Sequence, residues 1–143
     1  MSKFAQGYYI PKNPEKYVGT GKIRYRSSWE MVFCQFCDNN SKIVQWASES
    51  IQIPYRNPLT GKQTIYIPDF LVVYQSKGKT VTELIEIKPK SQTMITEKTR
   101  SARDKAAIAV NTCKWQAANA WCKRMGITFR VITEDNIFYS GRR

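Results

Sequence analysis

The chain has 143 residues, 42% hydrophobic and 13% aromatic, which suits one domain with one core and excludes global disorder. Its 23 Lys+Arg against 11 Asp+Glu leave a formal charge of +12, which points to a polyanionic partner, nucleic acid by default because phosphate neutralisation supplies most non-specific affinity. There is no histidine, which excludes Ser-His-Asp and Cys-His triads and imidazole metal sites, so any chemistry runs on carboxylates, lysine, hydroxyls, thiols or a bound metal.

No apolar stretch approaches the ~18 residues of a membrane span, and the opening MSKFAQGYYIPK lacks an apolar signal core. The expectation is a soluble, intracellular protein with no membrane partner. Residues 1–26 read as a basic, aromatic arm, with Lys3, Lys12, Lys16, Lys22, Arg24 and Arg26 among Phe4, Tyr8, Tyr9, Tyr17 and Tyr25. Pro11, Pro14, Gly19 and Gly21 interrupt any periodicity, so the arm is expected to be extended or irregular. Such interleaving suits tracking a nucleic-acid backbone and stacking its bases. The plainer alternative is an arm packed along the domain with its lysines merely solvated.

A first helix is expected from Ser27 or Ser28 to about Asn39-Asn40. Ser27 and Glu30 have the spacing of a capping box, and Trp29, Val32, Phe33 and Phe36 give one apolar face. Residues 42–55 read as a strand with an interruption near Ser48-Glu49, and Asn57-Pro58-Leu59-Thr60-Gly61 as a turn. Strands are expected at about 63–74 and 80–88, the second closed by Pro89. From about Thr96 to Met125, Ala102, Ala106, Ala109 or Val110, Cys113, Ala117, Trp121 and Met125 form a helical stripe, ended by Gly126. Ile127 to Ile132 is a last strand. The order α-β-β-β-α-β predicts an α/β (mixed α+β) domain. A three-stranded meander leads through a helical crossover to a fourth strand, with helices on the faces of the sheet.

The segment Ile65–Lys90 carries the chemistry. Asp69 lies in one apolar run, and Glu86-Ile87-Lys88 in the next. Alternate strand residues share a face, so Glu86 and Lys88 point the same way. If the two runs pair, Asp69 joins them, and two carboxylates with one ammonium can hold a divalent cation and a water. The ordinary reading is a surface hairpin with a solvated ion pair.

The element order, with Pro68-Asp69 on the second strand and Glu86-x-Lys88 on the third, resembles the core of the PD-(D/E)XK nucleases, a restriction-endonuclease-like fold. Tyr25-Arg-Ser-Ser-Trp-Glu30, Gln52-Ile-Pro-Tyr55, Tyr66-Ile-Pro-Asp69-Phe and Glu86-Ile-Lys-Pro89 further resemble head-completion nucleases of contractile-tailed phages. They are also similar to the endonuclease subunit of heteromeric transposases. The resemblance covers residues 25–132 and implies catalytic Glu30, Asp69, Glu86 and Lys88. Asp69 and Glu86 would bind Mg²⁺, or Mn²⁺ in its place, and Lys88 would position or help deprotonate the attacking water. Glu30 would act as a further ligand or through a metal-bound water. The phage branch implies action in the cytoplasm of the infected host, with head, portal or neck proteins as partners and association with the virion.

Hard oxygen ligands suit Mg²⁺, which supplies charge neutralisation and a nucleophile near neutral pH. Expected nucleic-acid contacts are Lys22, Arg24, Arg26, Lys90 and Lys114. Cutting both strands of DNA generally needs two active sites, which makes a homodimer an expectation. Glu83 is read as a solvated strand charge. Cys34 and Cys37 form a CxxC, but inside a helix, so with Cys113 and Cys122 they are read as buried free thiols rather than a zinc site. A non-catalytic DNA-binding head or neck component, or an endonuclease subunit that needs a partner protein, stands as the alternative.

Overall fold

A computed structural model describes residues 6–136; Lys3 and Phe4 of the arm lie outside them. The arm is more ordered than its composition suggests. Strands β1 (Gly7–Tyr9) and β2 (Ile23–Tyr25) pair antiparallel, with Tyr8 opposite Arg24. The loop between them is tied to the end of the first helix, α1 (Ser28–Asn39). Asp38, buried on that helix, accepts from Tyr9 Oη at 2.6 Å and from the main-chain N–H groups of Lys12 and Asn13 at 2.7 and 2.9 Å. Those bonds outweigh the cost of burying the carboxylate and hold its pKa below the ordinary value. Lys16 Nζ donates to the carbonyls of Cys37, Asp38 and Asn40 at 2.7–3.0 Å, filling acceptors that a helix C-terminus leaves open. Lys16 is therefore a helix cap, and the arm is packed along the domain.

At its other end α1 begins as expected. Ser27, extended at φ −153°, accepts from the Glu30 N–H at 3.2 Å, and Glu30 Oε1 accepts from the Arg26 N–H at 3.3 Å. The Ser27 bond of a capping box is made, while the Glu30 side chain reaches back past Ser27 to the Arg26 N–H, which aims it over the helix start.

The main sheet contains β3 (Ile43–Ser48), β6 (Phe70–Ser76), β7 (Lys79–Ile87) and β8 (Thr128–Ile132), in that spatial order. The first three form an antiparallel meander, and β8 runs parallel to β7. Between β7 and β8 the chain crosses over through α2 (Ala102–Met125). The mixed sheet with helical crossover is as expected, but two of its strands are shorter. The 42–55 run divides because Glu49 takes a left-handed φ of 49°, and the chain leaves the sheet. It then forms β4 (Ile53–Arg56), paired antiparallel with β5 (Gln63–Tyr66) in a separate hairpin. The 63–74 run divides at Ile67-Pro68-Asp69, where proline has no N–H to offer a ladder. Helix α2 starts at Ala102 rather than Thr96. Ser101 caps it by accepting from the Asp104 N–H at 3.0 Å, while Thr96 and Thr99 hydrogen-bond each other in a turn. Gly126, left-handed at φ 72°, closes the helix.

The sheet separates two apolar clusters. On one face Phe33, Cys34 and Cys37 of α1 pack with Trp46, Phe70, Ile85 and Ile87, and Trp46 is wholly buried. On the other, Ala118 and Cys122 of α2 pack with Ile53, Tyr55, Tyr66 and Leu84. All four cysteines are free, and the two pairs lie in different clusters, so four thiolates do not meet.

Candidate active site

Strand β7 positions two of the four expected residues. Ile85 and Ile87 enter the α1-side core, whereas Leu84 enters the α2-side core. Glu86 follows Leu84 onto the α2 face, and Lys88 continues the alternation. The Lys88 main chain stays in register by donating to Ile132 O at 3.0 Å. Its Nζ lies 4.0 Å from Glu86 Oε2.

Asp69 arrives from the bend between β5 and β6. Its carbonyl accepts from the Glu49 N–H at 3.0 Å, and its Oδ2 accepts from the Ile87 N–H at 2.7 Å. That bond sets the carboxylate against the strand between Glu86 and Lys88, so the residues converge rather than diverge. Asp69 is half-buried overall, but its carboxylate end is the desolvated part. Burial raises its pKa well above the usual range, the Glu86 and Glu30 charges add to this, and the Ile87 N–H and Lys88 oppose it. Glu86, 6% exposed, is raised by burial against the pull of Lys88, Tyr66 and Lys114. Burial also raises Glu30, against the Arg26 N–H.

The charge of Glu30 thus reaches the pair from the first turn of α1. Among the described residues, no three His, Cys, Asp or Glu side chains stand close enough together to enclose an ion. The arrangement offers two carboxylates, with Lys88 close to Glu86 and the charge of Glu30 within reach of both.

Of the cationic candidates, Arg26 and Lys114 act on this centre, and the others have partners elsewhere. Arg26 pairs with Glu49 at 3.1 Å, and the fields of Glu30 and Asp69 reach it. Lys114 lies over the rings of Tyr55 and Tyr66, at 5.9 and 5.6 Å from their centroids, and its charge acts on Glu86. Lys22 covers the Tyr8 ring at 5.2 Å, and Arg24 donates to Gln6 Oε1. Lys90 is an exposed partner of Asp135 at 3.3 Å. Glu83, expected to be solvated, is instead mostly buried, where it accepts from Tyr74 Oη at 3.0 Å and pairs with Arg130. Sequence reasoning missed the second layer behind Glu86. Tyr66 lies in a quoted motif without a role there, and Trp115 reads as packing.

The family model described as "TnsA-like endonuclease N terminal" matches residues 40–134. The chain belongs to the TnsA-like endonuclease family. Asp69, Glu86 and Lys88 all fall within the matched span, whereas Glu30 lies ten residues before its start at residue 40. The chain is also 36% identical, over 141 residues, to the head completion nuclease of Enterobacteria phage T4, with 92% of each chain covered. Both branches of the resemblance drawn from the motifs are thereby borne out, and the mixed sheet fits a restriction-endonuclease-like fold. The chain is a nuclease related to these two groups.

Proposed function

We propose that this chain is a Mg²⁺-dependent deoxyribonuclease that cuts or trims DNA during completion of a phage head; its T4 relative is named a head completion nuclease. The observation that carries this reading is the 2.7 Å bond from the Ile87 N–H to Asp69 Oδ2, which gathers Asp69, Glu86 and Lys88 at one strand end. The donor set fits a hard cation. Two desolvated carboxylates repel each other, and one lysine lies at the edge of ion-pair range. Asp69 and Glu86 would hold the ion, with Mn²⁺ able to replace it. When bound, Mg²⁺ supplies charge neutralisation at the phosphate and a more acidic water.

The chain's own residues supply the rest. Lys88 presents a cation beside the carboxylates, where it steadies the attacking water and the charge that develops on the phosphate. Glu30, held over the helix start by Arg26 and Ser27, is placed to accept a proton or orient that water. Lys114 and the +12 balance favour the DNA backbone despite the acidic centre. The test is incubation of the purified protein with duplex DNA and Mg²⁺ or Mn²⁺. Cleavage that Asp69→Ala abolishes is expected, whereas cleavage surviving that substitution, or none with either metal, refutes the reading.

A further inference from the structure

Behind Glu86, three buried polar atoms lack a hydrogen-bond partner: Tyr66 Oη, Trp115 Nε1 and Glu86 Oε1. Buried polar groups are seldom left so, and a carboxylate oxygen, a phenol near it and an indole near the phenol require an explanation. Tyr66 is 4% exposed and ends β5, three residues before Asp69. Its hydroxyl is near enough to feel both Glu86 and Trp115, but it closes a well-formed bond to neither.

The chemistry of the three groups allows one order. An indole N–H only donates, a carboxylate only accepts, and a phenol does both. The chain that satisfies all of them runs from Trp115 N–H to Tyr66 Oη, and from Tyr66 O–H to Glu86 Oε1. The two oxygens of Glu86 then divide their work, because Oε2 is the one that faces Lys88 Nζ at 4.0 Å. Packing alone does not explain Tyr66, since phenylalanine would fill its place in the α2-side cluster equally well.

We propose that Tyr66 and Trp115 are positioning residues that clamp Glu86 through Oε1 and leave Oε2 free for the cation. The clamp draws on all three elements around the site: Trp115 from α2, Tyr66 from the β4–β5 hairpin and Glu86 from β7. Only the identity of what Oε2 binds rests on the proposed function. Groups that orient metal ligands in this way typically account for ~10–100-fold in metal affinity.

Two measurements on the full chain test this. In the metal-free protein, the Trp115 indole N–H resonance is identified by its loss in Trp115→Phe. It is expected to move in Glu86→Gln, and to stop responding to that substitution once Tyr66→Phe is also present. In direct Mn²⁺ titration without DNA, Tyr66→Phe is expected to weaken binding ~10–100-fold with a native circular dichroism spectrum. Trp115→Phe should weaken it less, and the double variant no more than Tyr66→Phe alone. Wild-type Mn²⁺ affinity in Tyr66→Phe, or an indole resonance indifferent to Glu86→Gln, overturns the clamp. A wild-type protein that binds no Mn²⁺ and cuts no DNA refutes the proposed function instead, and the indole coupling then decides the clamp by itself.

Discussion

Asp69 Oδ2 accepts the main-chain N–H of Ile87 at 2.7 Å, so a carboxylate from the bend before β6 is fixed against the backbone of β7, between Glu86 and Lys88. Asp69→Asn separates the charge from the bond, because the amide oxygen can still accept from Ile87. Cleavage is expected to fall at least ~100-fold, the scale of losing one electrostatic element of a preorganised site. Metal-free thermal stability should hold or rise, since a desolvated charge has been removed. Gel-based cleavage and a melting curve check both.

The same desolvation predicts an unusual response to acid. Glu30, Asp69 and Glu86 have folded-state pKa values above their unfolded ones, so the folded state binds protons more tightly than the unfolded chain. Their contribution is unfavourable at neutral pH and improves as pH falls towards the ordinary carboxylate range of about 4. Asp38 is shifted the other way, so its stabilisation is present above its unfolded pKa and is lost as pH falls through its lower folded value. Metal-free stability to urea should therefore hold or rise from pH 7 to about 5 and decline only below about 4. Mg²⁺ should stabilise the protein at pH 7 and lose that effect on acidification. A monotonic fall from pH 7 in the metal-free protein would contradict these shifts.

Lys88 lies beside the carboxylates without closing a short ion pair, at 4.0 Å from Glu86. Removing its cation should therefore spare binding while stopping turnover. Lys88→Ala is expected to keep Mn²⁺ and DNA affinities within a few-fold and lose ~100–1,000-fold in cleavage rate. Single-turnover kinetics at saturating protein separate the two effects.

Lys16 has the opposite character. Its ammonium fills three carbonyls at the end of α1 and is remote from the chemistry. Lys16→Met is expected to cost about 1–3 kcal/mol in urea denaturation, the scale of leaving such acceptors unmade, with Mn²⁺ affinity unchanged.

Lys16 also marks what was legible in the sequence. The capping box at Ser27 and Glu30 and the Glu86/Lys88 face depend on local spacing, so the sequence shows them directly. The partners of Lys16 and Tyr9 are 21–29 residues away and follow no pattern, which makes an ordered arm look irregular. The break at Pro68 is hidden for another reason: apolar residues continue through it from one sheet to the next. The start of α2 is obscured because Thr96 and Thr99 satisfy each other in a turn, a preference that an apolar stripe does not reveal. Tyr66 and Trp115 are legible as residues but not as a pair, because only tertiary packing brings Tyr66 to both Trp115 and Glu86.

The central claim is that Asp69 and Glu86 share one hard cation. It is tested most directly by a crystal structure grown with Mn²⁺, whose anomalous signal locates the ion. The expected result is a peak coordinated by oxygens of both carboxylates, with Lys88 Nζ beside it and Glu30 at its rim. A peak elsewhere on the protein, with Asp69 and Glu86 carrying no ion between them, would contradict the account.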